Sequence, residues 1–332
     1  MNRPRATFAM SPASLVPRIF HREALDRLRR LVDLDPDLVL TDLDSDAARR
    51  ALAETDVLLA GWGAPVLASP ADAPRLRAVV YAGGVAATCL ADPRALAARG
   101  VVAANARAAN AVPVAEFALA MILLANKAAL RAERMYRERR APFDRATEFT
   151  DTGNYRRTVG IVGASTIGRA VIRLLRPFDL DVVAYSPELT PELAAELGVR
   201  AAPLDEVLAA ADVVSLHQPL TPATVGQIDA RRLALMRDGA TLLNTARGAV
   251  VDHDALLAEL RSGRLSAVLD VTEPQPLPPD SPFFELPNVV LTPHVAGSMG
   301  GELHRLGESV AAEVARFVAG EPFAHPERLD EA

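Results

Sequence analysis

The sequence predicts an α/β fold built on doubly wound parallel sheets. Three observations predict it. Short apolar runs alternate with helix-period stretches along most of the chain. A strand-like run, Thr158–Val162, meets a glycine turn and then a helical run, the order of a dinucleotide-binding unit. The chain has 332 residues, 50% of them hydrophobic and 23% charged, enough for about two globular domains with sizeable cores.

In the first hundred residues, helices are expected at His21–Val32 and Ser45–Glu54, the second opened by Ser45 as a cap. Strands are expected at Val57–Ala60, Leu76–Tyr81 and Val101–Ala104. Strands alternating with helices imply a parallel sheet covered on both faces. Pro113 suits a first helical turn, and Val114–Arg140 continues as one long helix until Pro142 stops it. The alternation then restarts. Strands are expected at Thr158–Val162, Asp181–Tyr185, Asp212–Leu216, Ala240–Asn244, Ala267–Val271 and Asn288–Leu291. Helices fall at Ile167–Phe178, Pro191–Leu197, Leu204–Ala210, Asp229–Met236 and Asp252–Arg261. The proline-dense Pro274–Pro287 is a loop, and a last helix covers Gly301–Val318.

Net charge is −6, which argues against nucleic acid as a partner because phosphates need a basic face. The arginines within Arg131–Arg145 are interleaved with Glu133, Glu138 and Asp144, the pattern of a solvated helix face or a subunit contact. Cys89 is the only cysteine and reads as a small buried side chain. The basic N-terminus lacks an apolar core of the secretory type, and no apolar run is expected to be long enough to span a bilayer, so a cytoplasmic protein is expected. None of the six histidines sits in a metal-ligand pattern, and no metal site is expected.

In TVGIVGASTIGRAV the dinucleotide fingerprint keeps its first and third glycines as Gly163 and Gly168, while Ser165 takes the place of the second. The first glycine makes the tight turn and the third lets the helix pack close to the strand. A serine hydroxyl at the second position can donate to a phosphate oxygen, and the helix N-terminus offers free N–H groups. The segment is not a nucleophile elbow, because Ile167 stands where that motif needs glycine. At the end of the next strand, Ser186 occupies the position where NAD sites place a carboxylate on the ribose. Both NAD and NADP stay open on these residues.

Three ionisable residues follow consecutive strands of this half: Arg247 in Thr245-Ala246-Arg247-Gly248, Glu273 in Thr272-Glu273-Pro274, and His294 in Thr292-Pro293-His294. Open α/β sheets bind ligands at such strand ends. A guanidinium can grip a carboxylate and polarise a carbonyl. An imidazole can pass a proton to the carbonyl oxygen as hydride reaches carbon. Glu273, bonded to the ring of His294, would orient it and favour the imidazolium. The set fits interconversion of a 2-keto acid and a 2-hydroxy acid. His217 also follows a strand and is placed near the cofactor; His253 and His304 are expected to face solvent, and His21 and His325 show no pattern.

These segments, with ADVVSLHQPLTPAT, ATLLNTARGAVVDHDALLAELRSGRLSAVLDVTEPQPLP, NVVLTPHVAGS and the upstream NAVPVAEFALAMILL, resemble the D-isomer-specific 2-hydroxyacid dehydrogenase family. The resemblance is dense over Asn110–Ser298. It implies an NAD(P)-dependent oxidoreductase that acts on a small keto or hydroxy acid, with Arg247, Glu273 and His294 catalytic. It also implies cofactor contacts from Gly163, Ser165, Thr166, Ile167, Gly168, Ser186, His217, Pro219, Ala246, Asp270, His294 and Gly297, with Asp270 on the nicotinamide carboxamide. The implied architecture is a Rossmann cofactor domain, 109–296, inserted into a flavodoxin-like substrate domain, 1–108 completed by 297–332, with the reaction between them. A homodimer through the helix and arm at about 113–155 is expected, with neither nucleic acid nor membrane as a partner. The same fold also serves dinucleotide-sensing corepressors and dehydrogenases of formate or phosphite, and these remain the alternatives.

The family's substrate loop is compressed here to Tyr81-Ala82-Gly83-Gly84-Val85-Ala86 and lacks its aspartate. Backbone N–H groups of Ala82, Gly83 and Gly84 are the candidates for a substrate carboxylate. Trp62, between Gly61 and Gly63, is either a pocket wall or a packing residue.

Overall fold

The computed structural model describes residues 3–331. The chain divides into two compact units: the first runs to Asn110 and resumes at Ser298, and the second is Ala111–Gly297. The first contains β1 (Arg5–Ala9), α1 (Leu15–Ile19), α2 (Arg22–Leu31), β2 (Asp33–Leu40), α3 (Asp46–Ala53), β3 (Val57–Ala60), β4 (Ala78–Tyr81), α4 (Pro93–Ala98) and β5 (Val102–Asn105). Helix α5 (Arg107–Asn126) opens the passage to the second unit, which holds α6 (Ala129–Arg139), α7 (Arg145–Glu148), β6 (Arg157–Val162), α8 (Thr166–Leu175), β7 (Leu180–Tyr185), α9 (Pro191–Leu197) and β8 (Arg200–Ala201). It continues with α10 (Leu204–Ala210), β9 (Val213–Leu216), α11 (Ala230–Leu235), β10 (Thr241–Asn244), α12 (His253–Arg261), β11 (Ser266–Leu269) and β12 (Val289–Leu291). The first unit is completed by α13 (Leu303–Ala319) and β13 (Pro326–Glu327).

The first sheet has the order β13-β5-β4-β3-β1-β2, parallel except for β13. Without that edge the order is flavodoxin-like. Strands β3 and β4 are buried at every position, as both-face coverage demands. Edge strand β2 behaves differently: Asp33 and Asp35 are exposed while Leu34 and Leu40 point inward. An edge tolerates both the acids and Pro36. The second sheet has the order β12-β11-β10-β9-β6-β7-β8, all parallel. The chain leaves β6 toward β7 and β8, then crosses back to β9, so the switch point lies between β6 and β9. Helix α8 buries Gly168, Val171, Ile172 and Leu175, a 3.6-period stripe against this sheet.

Each sheet is tied at its amino end by the same device. Asp56, just before β3, accepts the backbone N–H of Arg5 at 2.8 Å and pairs with Arg75 at 3.1 Å. Asp212, just before β9, accepts the N–H of Thr158 at 2.8 Å and pairs with Arg157 and Arg237 at 3.0 and 3.2 Å. In both cases a carboxylate satisfies a strand-end donor that the ladder leaves free.

Two expectations are corrected here. The single helix Val114–Arg140 is two helices, because Ala128 adopts a left-handed conformation (φ 50°) between α5 and α6. Helix α5 also begins at Arg107, which puts Pro113 inside the helix and not in its first turn. The second correction concerns length and hydropathy. Helix α5 has 20 residues with mean hydropathy 1.8, long and apolar enough by those measures to cross a membrane. One side of it, Ala115, Ala118 and Ile122, packs in the core with Val159, Ile161 and Ile172.

Candidate active site

The glycine turn stands at the carboxyl end of β6, beside the switch point. Gly163 has φ 100°, a conformation that side chains avoid, and a Cβ there would lie 2.5 Å from the Gln218 nitrogen. A Cβ at Gly168 would lie 2.0 Å from the Gly163 carbonyl oxygen. Both glycines therefore serve the close packing the fingerprint assigns them. Helix α8 starts at Thr166, with Ile167 and Gly168 in its first turn, and Ser165 is its cap residue without a side-chain cap bond. Its leading N–H groups face the strand end, a ready anion site. The role expected for the Ser165 hydroxyl is corrected: it donates to the His217 carbonyl at 2.9 Å. The serine binds its turn to the end of β9, so its one proton is not free for a phosphate.

The next strand ends supply buried polar atoms. His217 is 4% exposed, its Nε2 is 2.8 Å from Ser215 Oγ, and burial pushes its imidazole down to about 4. Among the described residues, His217 Nδ1, Gln218 Oε1 and Thr245 Oγ1 are buried without a partner. Unpaired buried polar atoms are costly, and a bound polar group is one way to complete their bonding. Their position at the ends of β9 and β10, beside the glycine turn, fits a dinucleotide. Pro219 follows exposed, Ala246 is buried beside them, and Ser186 is half-buried at the end of β7.

The exits of β10, β11 and β12 touch one another. A Cβ on Gly248 would lie 2.1 Å from the Thr272 carbonyl, so only glycine lets the Arg247 loop pass against the Thr272–Glu273 backbone. His294 donates its backbone N–H to the Asp270 carbonyl at 3.0 Å. Asp270 is 2% exposed, and its carboxylate accepts from Thr292 Oγ1 at 2.6 Å, the Val295 N–H at 2.8 Å and the Ala296 N–H at 3.0 Å. These bonds bend the chain around His294, which is held at φ 58° in the left-handed region. The Arg247 guanidinium is exposed and spends one donor on the Ala246 carbonyl at 2.6 Å. Gly297 ends the second unit just beyond this loop.

The partner of the His294 ring differs from expectation. Gln275 Nε2 donates to His294 Nδ1 at 2.9 Å. Glu273 is exposed, and among the described residues its carboxylate accepts no hydrogen bond. Its backbone is fixed instead, because the Glu273 N–H donates to His253 Nε2 at 3.2 Å. His253 Nδ1 donates in turn to the Val251 carbonyl at 3.1 Å, and its ring meets Phe283 edge-on. His253 is therefore a support of this loop, and the expectation that it faces solvent is corrected. Gln275 is the site residue that sequence reasoning missed. A neutral amide in a proline-rich loop carries no chemical flag, and its spacing from His294 only becomes meaningful once the loop's path is known.

In the first unit, Trp62 follows β3 and is 36% exposed. A Cβ at Gly83 would lie 3.2 Å from its indole nitrogen, so the ring stands beside the loop after β4. The N–H groups of Ala82 and Gly83 are used internally, donating to Ala60 and Tyr81 carbonyls at 2.8 and 2.9 Å. That removes two of the donors expected for a substrate carboxylate. Among the described residues the Gly84 N–H has no partner. A cavity of about 700 Å³ in the second unit lies at the opposite, amino ends of β10 and β11, lined by Asn126, Arg131 and Phe149, away from Arg247 and His294.

Comparison with known proteins follows the same lines. The family model described as D-isomer specific 2-hydroxyacid dehydrogenase, NAD binding domain, matches residues 119–296, more than half of the chain. The chain is 39% identical over 280 residues to D-3-phosphoglycerate dehydrogenase of Mycobacterium tuberculosis H37Rv, covering 84% of this chain and 52% of that one. It thus spans about half the length of that relative. It is 33% identical over 320 residues to glyoxylate reductase of Korarchaeum cryptofilum, covering 94% of each. The apo structure of D-mandelate dehydrogenase from Rhodotorula graminis superposes with a TM-score of 0.79 at 26% identity, over 98% of both chains. Two parallel-sheet units, a glycine turn at the switch point and this sequence kinship lead to one assignment: the chain belongs to the D-isomer specific 2-hydroxyacid dehydrogenase family.

Proposed function

We propose that this chain is an NAD(P)-dependent oxidoreductase that interconverts a 2-keto acid and a D-2-hydroxy acid. The observation that carries the reading is the meeting of three strand exits, which brings the Arg247 loop, the 272–275 loop and His294 together on one end of the second sheet. When bound, the nicotinamide supplies or accepts the hydride at the substrate's second carbon.

The chain's own residues do the rest. The first turn of α8 and the backbone at Gly163 would hold the pyrophosphate. His217, Gln218 and Thr245 offer buried polar atoms to the nicotinamide half. Arg247, most of whose donors have no partner among the described residues, would grip the substrate carboxylate and draw electron density from the carbonyl. In reduction, imidazolium His294 gives its Nε2 proton to the carbonyl oxygen while carbon receives hydride, so ketone, hydride and proton become the alcohol; oxidation reverses each transfer. Ser186 brings no charge to the ribose edge, which is compatible with either nucleotide. Helix α6 has no buried residue, and we assign it with the neighbouring arm to contact with a second copy, checked by light scattering.

The test mixes purified protein with NADH or NADPH and a panel of 2-keto acids, following loss of reduced-nicotinamide absorbance. Turnover is expected in the native chain and is lost in His294→Ala with nucleotide binding kept. Full activity of His294→Ala would remove the imidazole from the mechanism.

A further inference from the structure

The loop after β4 has one open point. Gly83 is packed, since a Cβ there would lie 2.5 Å from the Tyr81 ring. A Cβ at Gly84 would meet no atom of this protein within 4 Å, and its backbone lies outside the left-handed region. Neither packing nor conformation in this unit therefore demands glycine at 84. The missing side chain leaves a backbone N–H approachable at the carboxyl end of β4, the end where open α/β sheets take ligands.

Both sides of Gly84 lead back to one carboxylate. Glu327, in the two-residue edge strand β13, accepts the Ala86 N–H on Oε2 at 2.8 Å and the Ala87 N–H on Oε1 at 2.9 Å. Its Oε2 also accepts from Asn105 Nδ2 at 2.6 Å. Asn105 Oδ1 accepts the Arg107 N–H at 3.1 Å, and Arg107 Nε donates to the Gly84 carbonyl at 3.1 Å. Glu327 thus fixes the loop directly just beyond Val85, and through Asn105 and Arg107 at Gly84 itself. Ala86 is fully buried, so its N–H has no route to water. Glutamate is also a poor strand former, so pairing with Ala103 gives no reason for an acid at 327.

We propose that Glu327 is a positioning residue for the substrate: by holding Ala86, Ala87 and Asn105 it keeps the Gly84 N–H presented to the carboxylate of the keto or hydroxy acid. Three donors share its two oxygens. A glutamine there brings one oxygen and one NH2 group, so a backbone N–H would face another donor and the loop must shift. The sign of the effect identifies the role. Removing a negative charge near a bound anion would by itself tighten binding, whereas loss of the clamp loosens it.

This inference rests on the dehydrogenase reading, and its test separates the two. Native protein, Glu327→Gln and Gly84→Ala are compared in keto acid reduction with NADH or NADPH. Gly84→Ala touches nothing within the protein, so it reports the approach of substrate. In Glu327→Gln, KM for the keto acid rises by roughly tenfold while kcat and nucleotide affinity change little, and Gly84→Ala raises KM likewise. The Gly84 amide signal is also followed by NMR as oxamate, a 2-keto acid analogue that cannot be reduced, is added with reduced nucleotide. Saturation needs about tenfold more oxamate in Glu327→Gln than in native protein. An unchanged or lowered KM in Glu327→Gln, an unchanged KM in Gly84→Ala, or a native Gly84 amide that oxamate does not move overturns the proposal. If no keto acid is turned over but oxamate still moves the Gly84 amide at lower concentration in native protein than in Glu327→Gln, the dehydrogenase reading falls and the positioning role stands.

Discussion

The backbone N–H of Glu273 points at Nε2 of His253 across 3.2 Å, so a histidine at the start of α12 holds the loop that follows β11. The ring must be the neutral Nδ1–H tautomer, because Nδ1 donates to the Val251 carbonyl. Replacing it by phenylalanine keeps the contact with Phe283 but leaves the Glu273 N–H without its acceptor. His253→Phe is expected to cost about 1 kcal/mol in urea unfolding and to raise exchange of the Glu273 amide proton. An unchanged exchange rate would show that the bond does not hold the loop.

Gly168 and the Gly163 carbonyl leave no room for a methyl group, with a built Cβ only 2.0 Å from the oxygen. Gly168→Ala must push α8 away from the end of β6. A fall of at least tenfold in NADH and NADPH affinity is expected, corresponding to about 1.4 kcal/mol. Calorimetric titration checks it. Native affinity in this variant would mean that the helix end plays no part in holding the nucleotide.

His217 makes stability depend on pH. Burial lowers its imidazole from 6.5 to about 4, so between those values the unfolded chain binds the extra proton and the folded chain does not. This contribution is fully present above the unfolded value and is lost as pH falls toward the folded one. The difference corresponds to about 3 kcal/mol at most, an order-of-magnitude figure. Urea melts at about pH 7 and at about pH 4.5 should show a loss of stability at the lower pH in the native chain that is smaller in His217→Gln. Equal losses in the two proteins would exclude His217 as the source.

Cys89 is 2% exposed, and burial pushes its thiol up to about 12. The thiolate is the reactive form, so the folded protein should resist alkylation at mildly alkaline pH and react only when unfolded. Stoichiometric labelling of the folded chain by iodoacetamide within minutes would contradict this environment.

Much of this architecture is legible in the sequence where chemistry punctuates it. Helices α9 and α10 run over the expected residues because Thr190 and Pro191 open the first, Gly198 closes it, and Pro203 precedes the second. Strands β1 and β2 escaped notice for physical reasons: β1 is five residues beginning with Arg5, and β2 carries Asp33, Asp35 and Asp37 on an edge. The break at Ala128 has neither glycine nor proline to announce it. At the site, Arg247 and His294 stand out because an ionisable residue directly follows an apolar run. The partner of His294 does not, since Glu273 has the more suggestive chemistry while the loop's path delivers Gln275.

The first sheet is discontinuous in sequence, and that imposes an order on synthesis. The second unit is one unbroken segment, Ala111–Gly297, whose seven strands have all been made before α13. The first unit instead packs Leu306, Val310 and Val314 of α13 against its core and pairs β13 with β5. A ribosome therefore delivers a finished second unit while the earlier-made strands still wait for their last helix, and a chain truncated before Leu303 would leave that apolar face open to chaperones.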